Sequence, residues 1–273
     1  MPTVTLNNGV SMPQLGFGVY QVPNDETERV VTAALEAGYR SIDTATLYAN
    51  EAGTGRAIAA SGLPREDVFV TTKLWNTDQG YDSALRAFDT SLAELGLDHV
   101  DLYLIHWPMP ARDLYVETWR AFERIYTEGR AKAIGVSNFN PAHLDRLARE
   151  SDVVPAVNQI ELHPRLPQAE LRRYGTAHGI VTEAWGPLGQ GKGGLLEEPV
   201  LAELAAKHGA SPAQVVLRWH LQLGNVVIPK SATPARIREN LDVFGFTLDD
   251  DDLASIATLD TGTRGGPDPE TTN

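Results

Sequence analysis

The 273-residue chain contains no cysteine. That excludes disulfides, a thiol nucleophile and any cysteine-ligated zinc or iron–sulfur site. Positive charge is also scarce: 23 Lys and Arg stand against 36 Asp and Glu, a net charge of −13. Such a surface repels polyanions, so neither nucleic acid nor an anionic membrane is an expected partner, and any anion site must be local. The chain has no charge-free apolar run long enough to span a bilayer, and MPTVTLNNGV lacks a basic segment followed by an apolar one. The expectation is a soluble, cytoplasmic protein. G-x-S-x-G, HExxH and any pair of His one residue apart are missing too. Their absence removes the nucleophile-elbow and metallohydrolase readings, and no metal is expected.

What is present is globular in composition, 42% hydrophobic and 22% charged. Residues 3–6 and 10–12 around Asn7-Asn8-Gly9 predict an N-terminal β-hairpin, because Asn-Gly supplies the positive φ that a tight turn needs. The chain then alternates. β-rich runs appear as FGVY, RSID, VFVTTK, VDLYLIHW, AIGVS, AVNQI, IVTEAW and NVVIP, and amphipathic helical stretches as 26–37, 83–94, 115–128, 141–149, 168–178 and 198–207. Eight strands alternating with helices imply parallel pairing, and eight is the number that closes a barrel. The predicted fold is therefore α/β, a (β/α)8 TIM barrel over residues 1–273 as one domain, with two extra helices at 212–223 and 249–259. Residues 261–273, rich in Gly, Pro, Thr and Asp, are expected to form a mobile tail.

Barrel chemistry sits at the carboxyl ends of the strands. There the sequence places Asp43 with Tyr48, Lys73 with Trp75, His106 with Trp107, Ser137-Asn138, Gln159 with Glu161, Trp185 with Gly186, and Lys230-Ser231. Helix-covered strands normally end in aliphatic residues, so polar groups at seven strand ends point to one shared mouth. A phenol with a pKa of about 10 is a poor acid at neutral pH, but a nearby ammonium lowers that value. Asp43 is placed to hold Lys73 charged in a relay Asp43–Lys73–Tyr48, while His106 can donate to a developing alkoxide. Such a set protonates an oxygen and needs a cofactor for the harder step. Tyr20, Trp75, Trp107 and Trp185 read as pocket walls rather than barrel core. Lys230, Arg236 and Arg238 after the last strand read as a local phosphate site in an otherwise acidic chain.

The segments GYRSIDTATLYANEAGTGRAI, TTKLW, DLYLIHWP, GVSNF, NQIELHP and PKSATPARIREN resemble, in order and across nearly the whole chain, the aldo-keto reductase superfamily. The compact length and AWGPLGQGKG are similar to the bacterial branch that includes 2,5-diketo-D-gluconate reductases. The resemblance implies metal-free, NADPH-dependent reduction of aldehydes and ketones; the open pocket expected from the short loop and tail adds a broad range of small carbonyls, dicarbonyls and keto-sugars. It implies Tyr48 as general acid, Lys73 and Asp43 as the groups that tune it, and His106 as the group that orients the carbonyl. It further implies that Ser137, Asn138 and Gln159 hold the nicotinamide carboxamide, with Trp185 stacked on the ring. Gly186, Leu188 and Gly189 would line the pyrophosphate, and Lys230, Ser231, Ala232, Arg236, Glu239 and Asn240 would surround the adenosine 2′-phosphate. Tyr20, Trp75 and Trp107 face the substrate in this reading, and a monomer is expected. Many family members carry Tyr where this chain has Trp185. The loop at 109–113 and the tail after Leu259 are short, so an open, weakly selective pocket is expected.

Two nucleotide motifs compete weakly. Gly16-Phe17-Gly18-Val19-Tyr20-Gln21 begins like G-x-G-x-x-G but opens no helix, and the run from Gly186 to Gly193 lacks the P-loop hydroxyl at Gly193. The alternative from a different class is a non-catalytic NADP(H)-binding barrel acting as a regulatory or interaction subunit.

Overall fold

A computed structural model describes residues 1–272; Asn273, the last residue of the expected tail, lies outside them. The N-terminal hairpin pairs β1 (Thr3–Thr5) with β2 (Ser11–Pro13) antiparallel, and its turn carries Gly9 at φ +87°. Eight parallel strands follow: β3 (Phe17–Gly18), β4 (Ser41–Asp43), β5 (Phe69–Leu74), β6 (Val100–Ile105), β7 (Ala131–Ser137), β8 (Val157–Glu161), β9 (Val181–Trp185) and β10 (Val226–Val227). They pair in sequence order. The sheet then closes on itself, because Gly16 N donates to Val227 O at 2.9 Å and Val227 N to Gln14 O at 3.0 Å. The sequence prediction of a (β/α)8 barrel holds.

Closure explains the first glycine motif. A Cβ at Gly16 would lie 3.0 Å from Ser41 Oγ, and one at Gly18 would lie 3.0 Å from the backbone oxygen of Ile228. These glycines let strands approach at the seam and do not open a nucleotide-binding turn. Leu6 and Met12 of the hairpin region pack with Phe69, Leu102, Leu104, Ala133, Val157 and Val226, so the hairpin plugs the amino end of the barrel. The mouth is left to the opposite end.

The helices are α1 (Asn24–Ala37), α2 (Glu51–Ala60), α3 (Tyr81–Leu95), α4 (Tyr115–Thr127), α5 (Pro141–Glu150), α6 (Ala169–Ala177), α7 (Pro199–His208), α8 (Pro212–Gln222), α9 (Pro234–Leu241) and α10 (Asp250–Ala257). Among the described residues no helix is long and apolar enough to cross a membrane. Outward residues of the strands meet these helices in a second apolar layer. Tyr103 of β6, for example, stacks on Phe122 of α4 at 4.3 Å between ring centroids and tilts against Phe88 of α3 at 4.6 Å. Such aromatic pairs contribute about 0.5–1.5 kcal/mol each beyond area burial.

Two corrections to the sequence reading concern helices. The segment EAGTGRAIAA, not among the amphipathic stretches named from the sequence, forms α2, packed so tightly that a Cβ at Gly55 would lie 2.0 Å from Leu95 O. The second concerns the extra helices. α8 rests against β10 and is the crossover helix, while α7 packs on α8 and α10 outside the ring. The residues at 212–223 therefore belong to the barrel and the preceding helix is the addition; periodicity marks a buried face without saying what buries it. α10 begins as expected from the acidic run, with Asp249 accepting from Asp252 N at 2.9 Å.

Candidate active site

Asp43 ends β4, and a short 3-10 turn, Thr46–Tyr48, brings Tyr48 back over it. Lys73 is the penultimate residue of β5 and His106 follows β6 directly. The three strand ends and the turn after β4 bring all four together on one side of the mouth. Lys73 Nζ donates to Asp43 Oδ1 at 2.5 Å, to Thr44 O at 2.9 Å and to Tyr48 Oη at 3.5 Å. Those three acceptors use every ammonium hydrogen, which is what permits a lysine with 0% exposure. The Tyr48 and His106 rings meet edge to face at 5.9 Å, and Trp75 meets His106 in the same way at 5.2 Å.

Electrostatics depart from the sequence expectation at Tyr48. Burial at the pocket floor pushes the phenol up to about 12, and the Lys73 ammonium, which pulls it down, does not prevail; Asp43 adds to the rise. Tyr48 thus holds its proton firmly at neutral pH. Burial lowers Lys73, but the Asp43 charge, the Tyr48 oxygen and the hydrogen bond to Asp43 together outweigh it, so the ammonium is held charged. His106 lies well below the usual imidazole range because of burial and then Lys73, so it is neutral. Its Nδ1 has no protein partner.

A cavity of about 1000 Å³ opens above these groups, a size suited to a large ligand. Asp43, Tyr48 and His106 line its floor, and Tyr20, Trp75, Trp107 and Trp185 stand in its walls, as the sequence placed them. Tyr20 leans over Tyr48 at 5.0 Å and remains 43% exposed. Asn138, Gln159, Gly186, Leu188, Lys230, Ser231, Ala232, Arg236, Glu239 and Asn240 share the same cavity. Three expected site residues do not line it. Lys73 lies beneath the floor, Ser137 is turned to donate from Oγ to Gln159 O at 2.7 Å, and Gly189 faces the side chain of Leu195.

The far arm of the cavity runs along β10 to the start of α9. Lys192, Lys230 and Arg236 line it, and among the described residues none has a carboxylate within ion-pair distance, so the three cations are free for an anion. Lys192 was not singled out in the sequence; its place in the glycine-rich stretch after β9 was the available signal. That stretch turns through left-handed residues at Gly186, Gly189, Gln190 and Gly191. Nearer the floor, Gln159 donates both amide hydrogens inward, leaving its Oε1 without a protein partner on a side chain that faces the cavity. Free cations at one end and an unpaired amide oxygen at the other fit a phosphate-bearing ligand with a carboxamide head.

Two carboxylates escaped the sequence reading as functional. Glu183 is buried in the barrel interior beside Gln159. Glu161, noted only as a strand-end residue, accepts from Gly265 N at 2.6 Å and Gly266 N at 3.1 Å, with Arg264 at 3.7 Å. Its carboxyl is held low because the bonds from His163 and the two glycine amides outweigh burial. The tail predicted to be mobile is therefore fastened: Gly265, Gly266, Pro267 and Thr272 form one wall of the cavity, and Glu270 accepts from Asn140. Composition rich in Gly and Pro suggested freedom; the anchoring carboxylate lies a hundred residues away and gave no local sign.

A (β/α)8 barrel carrying a carboxylate, an ammonium, a phenol and a neutral imidazole at the floor of a cation-lined cavity defines an enzyme of the barrel oxidoreductase class. The chain belongs to the aldo/keto reductase family, whose model matches residues 12–261. It is 60% identical over 272 residues to an aldo-keto reductase of Mycolicibacterium smegmatis, covering 100% of this chain and 98% of that one. It is 52% identical over 270 residues to the methylglyoxal reductase DkgA of Escherichia coli (strain K12), covering 98% of each. Among solved structures it is similar to a mutant of Gox0644 in complex with NADPH, with 50% identity and a TM-score of 0.95 over 100% of this chain and 98% of that one.

Proposed function

We propose that this protein is an NADPH-dependent reductase of aldehydes and ketones, acting on small carbonyls, dicarbonyls and keto-sugars. The observation that carries the reading is the Asp43–Lys73–Tyr48 chain beside neutral His106, at the floor of a cavity whose other arm holds three unpaired cations. The methylglyoxal reductases among its relatives and the NADPH complex among its structural neighbours support it.

NADPH, when bound, supplies the hydride. Everything else is the work of this chain. Trp185 offers a flat indole at the end of β9 against which the nicotinamide ring would stack, and Asn138 and Gln159 would offer amides for its carboxamide. Lys230 and Arg236, with the start of α9, would attract the 2′-phosphate. The carbonyl oxygen of the substrate lodges between Tyr48 Oη and His106, where the neutral imidazole orients it by a hydrogen bond. As negative charge grows on that oxygen, Tyr48 gives up its proton, and the Lys73 ammonium at 3.5 Å stabilises the phenolate that remains. Asp43 fixes Lys73 in place for that task. The aromatic walls and the tail exclude water from the reacting carbon.

The reading extends to one domain and a cytoplasmic monomer. Among the described residues the large exposed apolar side chains are Met1, Tyr20, Leu47, Val154 and Phe244, and two of them, Tyr20 and Leu47, stand at the pocket mouth. The deciding experiment supplies NADPH and methylglyoxal to the purified protein and follows NADPH absorbance. Consumption of NADPH with formation of the alcohol is expected. Tight NADPH binding with no turnover of any carbonyl in a broad panel overturns the reading in favour of a non-catalytic barrel.

A further inference from the structure

Glu183 lies in the middle of β9, directly across the sheet from Gln159 in β8. Its side chain points into the barrel one layer below the mouth and has 0% exposure. Gln159 Nε2 donates to Asp43 Oδ2 at 2.8 Å and to Glu183 Oε2 at 2.8 Å. One amide nitrogen thus bridges two carboxyl groups, and the other oxygen of Glu183, Oε1, has no partner among the described residues.

The charge state follows from the neighbours. Among the described residues the buried cation facing Glu183 is Lys73 of β5, and its three hydrogens already go to Asp43, Thr44 and Tyr48. The Lys73–Asp43 pair is electrically balanced, so an ionised Glu183 would add an uncompensated charge with one oxygen bare in the barrel interior. Such a group keeps its proton. Burial, reinforced by the Asp43 charge, accordingly raises the Glu183 carboxyl to about 8.

We propose that Glu183 is a neutral carboxylic acid and the positioning residue that orients the Gln159 amide, turning its nitrogen into the barrel and its oxygen toward the nicotinamide carboxamide. Without an acceptor at position 183, one Gln159 hydrogen is unsatisfied and the amide is free to rotate. A rotated amide presents nitrogen, not oxygen, to the carboxamide, and it also releases Asp43 Oδ2 from its second contact. Glu183 touches neither substrate nor cofactor; it acts through Gln159. The inference rests on the reductase reading for its catalytic consequence but not for the protonation state.

The test compares wild type, E183Q and E183L. The infrared difference between wild type and E183Q at pH 7 should show the carbonyl stretch of a protonated carboxylic acid, a readout that needs no cofactor. E183L should weaken NADPH binding by titration calorimetry, and lower kcat, by about 3- to 10-fold, the value of one orienting hydrogen bond. E183Q, which keeps a neutral acceptor, should restore most of that loss. Absence of the infrared band overturns the inference, as does an E183L that binds and turns over like wild type, or an E183Q as impaired as E183L. If E183L does not fold, the infrared arm still decides the protonation state, and E183A takes the place of E183L in the binding and turnover comparison with E183Q. A wild type that binds NADPH yet reduces nothing sinks the reductase reading alone, because the binding arm still reads Glu183.

Discussion

Trp185 and Asn138 are joined across the mouth: the indole Nε1 donates to Asn138 Oδ1 at 2.8 Å. Asn138 Nδ2 meanwhile donates to His106 O at 2.9 Å and Ser137 Oγ at 3.0 Å, which fixes the amide's sense. The indole proposed to face the cofactor and the amide beside it are therefore one unit. Asn138 holds a left-handed backbone, φ 64°, that asparagine tolerates better than most residues.

That bond separates the two roles of the indole. Trp185→Phe keeps a stacking face and removes the donor, so NADPH affinity should fall by about 3- to 10-fold, the cost of one hydrogen bond. Titration calorimetry measures it without relying on the lost fluorophore. Unchanged affinity would assign the ring to stacking only.

Tyr48→Phe removes the transferable proton and leaves the ring. A fall in kcat of about 10²-fold or more is expected, with the NADPH dissociation constant nearly unchanged. Lys73→Met should act in the same direction, since the phenolate left after transfer loses its ammonium. Near-normal turnover by Tyr48→Phe would pass the proton donation to His106.

Cofactor choice follows from the unpaired cations. With Lys230 and Arg236 facing the cavity in a protein of net charge −13, NADPH should bind at least about tenfold more tightly than NADH, about 1.4 kcal/mol. Lys230→Ala together with Arg236→Ala should erase most of the difference. Equal affinities for the two nucleotides in the unmutated protein would contradict the assignment.

The strand ends carried their information locally, which is why Asp43, Lys73 and His106 were legible as polar residues where barrel strands stop, with Tyr48 in the turn that follows the first of them. The hairpin and all eight strands were legible for the same reason of short-range pattern. Glu183 was not, because IVTEAW reads equally well with its glutamate turned to solvent; only the pairing with Gln159 shows that it is buried. Glu161 and the fastened tail depend on contacts across more than a hundred residues. The rise at Tyr48 was missed because sequence shows the nearby ammonium but not how tightly the floor is closed.

Stability should carry the signature of Glu183. A carboxyl whose folded pKa is raised from 4.5 to about 8 contributes stability that is whole below about 4.5 and declines as pH rises toward about 8. E183Q has no such dependence. The Tm of E183Q relative to wild type should therefore increase from pH 5 to pH 8 in thermal scans, and a constant difference would place an ionised glutamate in the barrel at all these pH values.

The fastened tail changes what the pocket should select. A short loop after His106 and a free tail would leave open walls, and open walls discriminate weakly, since a methylene in such a pocket is worth about 1–3 kcal/mol. In the structure Glu161 clasps Gly265 and Gly266, and the Gly266 backbone lies so close to the indole that a Cβ there would be 2.5 Å from the Trp185 ring. The tail therefore narrows the mouth beside the ring. Glu161→Ala frees that wall without touching the acid, so small aldehydes and dicarbonyls should lose kcat/KM by about 3- to 10-fold while larger keto-sugars lose less. Gly266→Ala should act oppositely on geometry, forcing the ring or the tail aside. The measurement is a carbonyl panel at fixed NADPH for wild type and both variants. If the ranking of substrates by kcat/KM is the same in all three, the tail is a bystander and selectivity resides in the aromatic walls of Tyr20, Trp75 and Trp107.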